Sequence, residues 1–157
     1  MPDQTKPAIL FVCLGNICRS PLAEAALRAE ADKAGLAIEV DSAGTGDWHI
    51  GHPPDQRAQA TARRHGMDIA QYQARQVRPD DFLGFTHIFA LDADNLRNLR
   101  AIAPADATAR VSLLMDLVPG RQGQAVKDPY YGGDEGFETT WSDVSAAARA
   151  LVVQLKG

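Results

Sequence analysis

Ala8-Ile9-Leu10-Phe11-Val12-Cys13-Leu14-Gly15-Asn16-Ile17-Cys18-Arg19-Ser20-Pro21 is the stretch on which the fold turns. Its opening run, Ala8 to Val12, is apolar and β-prone, bounded by Pro7 and Gly15, as expected of a central parallel strand covered on both faces. Beyond the loop, Ser20 is a candidate N-cap and Pro21 suits a first helical position. The Leu/Ala/Glu/Arg-rich stretch that follows runs through Lys33 to Gly35, a natural C-cap. Ala37 to Val40 is a second β-prone run. Through Val40 the chain therefore reads strand, loop, helix, strand, which is one right-handed crossover unit.

The rest extends this pattern. Asp47 to Pro54 carries Trp, two His, Gly and a Pro pair and reads as a loop. A helix is expected over Gln56–His65, capped by Asp55 and stopped by Gly66. His87 to Leu91 reads as a third strand, Ala93 to Ile102 as a helix ended by Pro104, and Arg110 to Met115 as a fourth strand. Phe137, Trp141, Val144, Ala148, Leu151 and Leu155 recur at steps of three and four, the stripe of an amphipathic helix on a sheet. There are no repeats, low-complexity tracts or linkers. The expectation is an α/β fold: one three-layer domain spanning residues 1–157, with a four-stranded parallel sheet flanked by helices. Ligands of such sheets bind beyond the carboxyl ends of the strands.

Composition narrows the function. With 157 residues, 45% of them apolar and 23% charged, the chain is an ordinary globular sequence with enough length for a core. Sixteen Lys+Arg against 20 Asp+Glu give a net charge of −4, so no basic excess points to nucleic acid or a membrane surface. No run reaches the ~18 apolar residues of a membrane span. Ala8 to Leu14 has too little positive charge before it, and no cleavage pattern after it, for a signal peptide. Two cysteines are too few for a disulfide framework, so a reducing, cytoplasmic setting is expected.

The loop between the first strand and the first helix brings backbone N–H groups together at a helix N-terminus, which is an anion site by construction. Gly15 and Asn16 tolerate the tight or left-handed backbone that wrapping an anion requires. Arg19 adds a planar fork able to hold two phosphate oxygens. Cys13 would lie at the floor. The same N–H array and helix dipole favour a thiolate over a thiol, and the Ser20 hydroxyl is placed to donate to the sulfur. A lone Cys at a strand end is more often core than nucleophile. Here the Arg-Ser that follows at a helix start, with glycine inside the loop, favours the nucleophile.

These residues resemble a known family. Cys13 to Pro21 resembles the signature of the low-molecular-weight protein tyrosine phosphatases, and Asp128-Pro129-Tyr130-Tyr131-Gly132 resembles their acid-loop motif. Weaker likenesses lie between, at Asp41-Ser42-Ala43-Gly44, Asp47-Trp48, Ala74-Arg75-Gln76-Val77 and Asn95-Leu96-Arg97. The resemblance implies hydrolysis of phosphotyrosine, in a protein or a small aryl phosphate, through a phosphocysteine on Cys13. Arg19 and the loop amides of Leu14, Gly15, Asn16, Ile17 and Cys18 would bind the phosphoryl oxygens, and Asp128 would act as general acid and then general base.

The same resemblance makes Asn16 and Ser42 loop supports, and Trp48, Tyr130 and Tyr131 the walls of a slot for a phenyl ester. It also gives Ile17 a role in preference, since relatives acting on phosphoarginine tend to carry Thr there. One departure is Tyr72, where many relatives place a His that bonds the loop-supporting Asn. The expectation is that the Tyr72 hydroxyl or a bridging group substitutes. No cofactor or metal is implied: His49 and His52 stand three apart, with nothing nearby to complete a site. Cys18, in the same loop as Cys13, is a candidate partner for a reversible disulfide after oxidation of Cys13.

Two other functions share this architecture. Arsenate reduction by a thiol relay needs further cysteines downstream, and the chain has none after Cys18. A non-catalytic phosphate binder gains nothing from a nucleophile and a separate proton donor. Oligomeric state is not indicated by the sequence.

Overall fold

The structure, a computed structural model, describes residues 6–130 and 132–157. Strand β1 (Ala8–Cys13) is followed by helix α1 (Arg19–Ala34), β2 (Glu39–Gly44), α2 (Gln56–Arg64), a short helix α3 (Asp81–Gly84), β3 (His87–Ala90), α4 (Ala93–Ile102), β4 (Arg110–Leu113) and the long α5 (Asp134–Lys156). The four strands form one parallel sheet in the order β2-β1-β3-β4.

Alternation along β1 divides the core. Ile9, Phe11 and Cys13 face α1, α2 and α5, where they meet Leu22, Ala26, Ala58, Phe137, Val144 and Leu151. Leu10 and Val12 face the other way, toward Phe82, Leu99 and Val77. Helices therefore cover both sheet faces, and every residue of β1 is buried. That accounts for an apolar run without polar alternation. The expected stripe on α5 is present: Phe137, Trp141, Val144, Ala148 and Leu151 are all buried.

Four local expectations are corrected. Ser20 is not the N-cap of α1; the helix starts at Arg19 with Cys18 in the cap position, and no side chain caps it. The Ser20 hydroxyl is directed to Cys13 and Asn16 instead, a stronger claim on it than one helical N–H. Strand β2 runs over Glu39–Gly44 rather than Ala37–Val40, because it pairs with β1 residue for residue from Ala8↔Glu39 to Cys13↔Gly44. Strand β4 ends at Leu113, opposite the last residue of β3, and Leu114–Leu117 turns into a 3-10 helix. Helix α3 carries no periodic signal at four residues and was not expected. Asp55 does cap α2, accepting from Arg57 N at 2.8 Å, and α4 has the expected bounds.

In this strand order β1 has β2 on one side and β3 on the other, so the switch point of the sheet lies at its carboxyl end. Cys13 is the last residue of β1 and Asp92 follows closely on β3.

Candidate active site

Residues 14–18 turn from β1 into α1 around a cavity of about 300 Å³. Cys13, Leu14, Gly15, Ile17, Cys18 and Arg19 line it from the loop side, Trp48 and His49 from the segment after β2, and Asp128 and Tyr130 from the segment before α5. The loop's carbonyls are engaged from outside: Thr45 N donates to Cys13 O at 2.9 Å, Gly46 N to Leu14 O at 2.9 Å, and Asp55 N to Ile17 O at 2.8 Å. Among the described residues the N–H groups of Leu14 to Cys18 have no protein acceptor. Donors without partners, gathered at a helix start, form an anion cradle.

Asn16 holds the turn. Its φ of 58° makes it the only non-glycine residue with positive φ among those described, a conformation that favours Asn over most side chains. Its buried amide donates to Ser20 Oγ at 2.8 Å and Ser42 Oγ at 3.0 Å, and its oxygen accepts from Arg75 N at 3.0 Å. Ser42 in turn donates to Glu24 Oε1 at 2.8 Å, and Arg28 holds the other oxygen of Glu24 at 2.7 Å. Burial raises the Glu24 carboxyl above its ordinary range, against the bonds from Arg28 and Ser42. Tyr72 does not take the place of the family His beside Asn16. All of the Asn16 amide's partners lie elsewhere, and the Tyr72 ring packs under the Arg28 guanidinium, 6.0 Å from its centroid. Ser42 and Glu24 supply the bridging support.

Gly44 closes the back of the loop. A Cβ there would stand 2.8 Å from Leu14 O and 3.2 Å from Asn16 N.

Cys13 Sγ lies 3.0 Å from Ser20 Oγ. The Arg19 guanidinium is buried and directed: Nη1 donates to Asp92 Oδ2 at 2.7 Å and to Val126 O at 3.0 Å, while Nη2 stands 3.7 Å from Asp128 Oδ2. Burial works against its charge, yet the negative charges of Cys13, Asp92 and Asp128 raise its pKa above the ordinary arginine value. The Nε and Nη2 donors remain for a ligand. Burial, with Asp55 and Cys13 nearby, pushes the Cys18 thiol well above its usual range. Both thiols are free and buried.

The walls are aromatic. The Trp48 ring lies across Gly46, where a Cβ would fall 1.9 Å from it, and its other face is exposed. Tyr130 is also exposed. Tyr131, expected as a third wall, lies outside the described residues. His49 and His52 have ring centroids 5.8 Å apart, and no group of three His, Cys, Asp or Glu side chains converges among the described residues. Among the same residues, no helix is long and apolar enough to cross a membrane.

Sequence reasoning missed Asp92, Glu24, His49 and Arg57. Asp92 is the N-cap of α4 and reads as nothing more until Arg19 is seen beside it.

A family profile described as low molecular weight phosphotyrosine protein phosphatase matches residues 8–157. The chain belongs to that family. It is 45% identical over 132 residues to a low molecular weight phosphotyrosine protein phosphatase of Schizosaccharomyces pombe, covering 82% of this chain and 84% of the relative. Among solved structures, YfkJ of Bacillus subtilis superposes with a TM-score of 0.90 at 39% identity, covering 99% of this chain and 98% of the other. DARP, a drosophila arginine phosphatase, matches with a TM-score of 0.90 at 32% identity, covering 95% of this chain and 98% of the other. Members of the family are phosphatases, and the match runs through the cradle, the sheet and the acid-loop motif alike.

Proposed function

We propose that the chain hydrolyses aryl phosphate monoesters, phosphotyrosine above all, by double displacement through a phosphocysteine on Cys13. One observation carries this reading: Cys13, Arg19 and Asp128 line the same cavity, beside loop N–H donors that have no acceptor among the described residues. The thiolate attacks phosphorus in line as the P–O bond to the phenol breaks, and Asp128 gives its proton to the departing oxygen. The loop amides and the free edge of Arg19 take up the charge on the equatorial oxygens. Asp128, now a carboxylate, accepts a proton from the water that displaces Cys13, releasing phosphate. The Ser20 hydroxyl, 3.0 Å from the sulfur, stabilises it as attacking and then leaving group.

Ile17 and the Trp48 face favour an aryl ester. A polar guanidine phosphate would need hydrogen-bond partners on that wall, and Ile17 offers none. Two thiols kept free suit a reducing, cytoplasmic setting. Cys18, in the wall beside Cys13, is the proposed partner in a reversible disulfide. After peroxide and then reductant, the wild type should regain more activity than a Cys18→Ser variant, and equal recovery would remove this role.

The decisive experiment is incubation with p-nitrophenyl phosphate and a phosphotyrosine peptide at about pH 5–6, beside a phosphoarginine peptide. Turnover of the first two is expected to exceed that of the third. Tight binding of inorganic phosphate with no turnover would instead mark a phosphate-binding domain.

A further inference from the structure

We propose that Arg57 is the positioning residue that aims Asp128, by fixing the register between the phosphate loop and the segment that bears the acid. This rests on the reading of Asp128 as proton donor. Arg57 Nη2 donates to Tyr130 O at 2.9 Å and Nη1 donates to Gly132 O at 3.1 Å. These are two carbonyls of the segment that begins with Asp128. The other edge of the same guanidinium is held by Asp55, whose carboxylate accepts from Nε at 3.1 Å and Nη2 at 3.0 Å. Its flat face lies over the Phe137 ring at 4.8 Å and near the Tyr130 ring at 5.7 Å.

Asp55 completes the link, since its N–H donates to Ile17 O in the phosphate loop at 2.8 Å. A continuous set of hydrogen bonds therefore runs from the loop through Asp55 and Arg57 to the acid segment. Within that segment the Asp128 carboxylate accepts from Tyr130 N at 3.0 Å, so the residue whose carbonyl accepts from Arg57 also orients the acid through its N–H. The Asp128 side chain is 42% exposed, and Arg19 Nη2 stands 3.7 Å from its carboxylate. A planar fork with five N–H donors can serve a carboxylate and two carbonyls at once, and a lysine ammonium cannot reproduce that geometry. Arg57 itself does not line the cavity, so it acts through Asp128 and not on the ester.

The test uses the full chain and two esters, phenyl phosphate with a poor leaving group and p-nitrophenyl phosphate with a good one. Both esters are compared in kcat/KM, which ends at phosphoryl transfer to Cys13 and so leaves out the later hydrolysis common to them. There, loss of aim should be felt only where protonation of the leaving group limits the rate. Arg57→Ala should lower kcat/KM on phenyl phosphate about tenfold, and Arg57→Lys should do nearly the same. On p-nitrophenyl phosphate both should stay within about threefold of wild type, with the inhibition constant of inorganic phosphate unchanged. In an Asp128→Ala background Arg57→Lys should cost nothing further.

Equal losses on both esters, or a loss that persists without Asp128, would overturn the proposal and leave Arg57 a structural tie. If Arg57→Ala does not fold, the lysine variant alone decides between these outcomes. Failure of the underlying reading looks different: Asp128→Ala by itself would then slow both esters alike.

Discussion

Residues 14–18 and the acid segment, described over 127–130 and 132–133, meet at one cavity with opposite kinds of support. The phosphate loop is pinned from behind by buried groups: the Asn16 amide, Ser20, Ser42 and Glu24, with its carbonyls bonded outward. The acid segment is largely exposed, and Arg57 and Asp55 hold it from one side. An oxyanion site acts by being in place before the charge develops, and any reorganisation there raises the barrier. A proton donor needs only to be aimed at the moment of bond breaking, and an open segment also lets the ester enter and phosphate leave. The two regions should therefore fail differently when altered.

The largest effect should come from Cys13→Ser, which removes the nucleophile and leaves the cradle. Turnover is expected to fall on the order of 10⁴-fold or more, while calorimetry still detects phosphate binding. Loss of phosphate binding as well would mean that the loop depends on the sulfur for its shape. Next, Asp128→Ala should lower kcat/KM on phenyl phosphate by roughly 10²–10⁴-fold and on p-nitrophenyl phosphate far less. This contrast belongs to the open side alone.

Asn16→Ala attacks the pinned side. It removes three hydrogen bonds and puts alanine at a positive φ, so a stability loss of about 2–3 kcal/mol is expected in chemical denaturation. Both esters should slow by about the same factor, roughly tenfold or more, because the damage is to anion binding common to each. A leaving-group-dependent loss here would blur the proposed division.

The smallest effect should be in pH. Burial raises the Glu24 pKa in the folded chain, so the native state binds more protons than the unfolded chain just above the ordinary carboxylate range. Its contribution to stability is then complete at lower pH and declines as pH rises through the raised value. Glu24→Gln should flatten that decline in melting temperatures taken between about pH 4 and 7. An unchanged slope would show that the Ser42 support is independent of the charge on Glu24.

How far the sequence reaches differs between the same two regions. The cradle is legible because its requirements are local: a β-prone run, a glycine and an asparagine at a tight turn, then Arg-Ser-Pro at a helix start. Of its supports, Ser42 is reached only through the family resemblance, and Glu24 and Arg75 are not reached at all, because they come from separate stretches and meet the loop only through packing. Tyr72 shows the limit. Position alone suggests a substitute for a histidine, yet the ring packs under Arg28 and a carboxylate takes over the support. Arg57 carries no signal at all: an arginine in the first turn of a helix looks like solvated surface until the carbonyls above it are placed. The ends of β2 and β4 differ from expectation for a similar reason, since pairing with β1 and β3 fixes them and not propensity.

Gly44 has a consequence beyond its own strand. Only a hydrogen atom fits between the tip of β2 and the outer wall of the turn, so the bore of the anion ring is gauged by a residue that never meets the ester. Any drift toward a larger side chain there would resize the opening without altering one group that does chemistry.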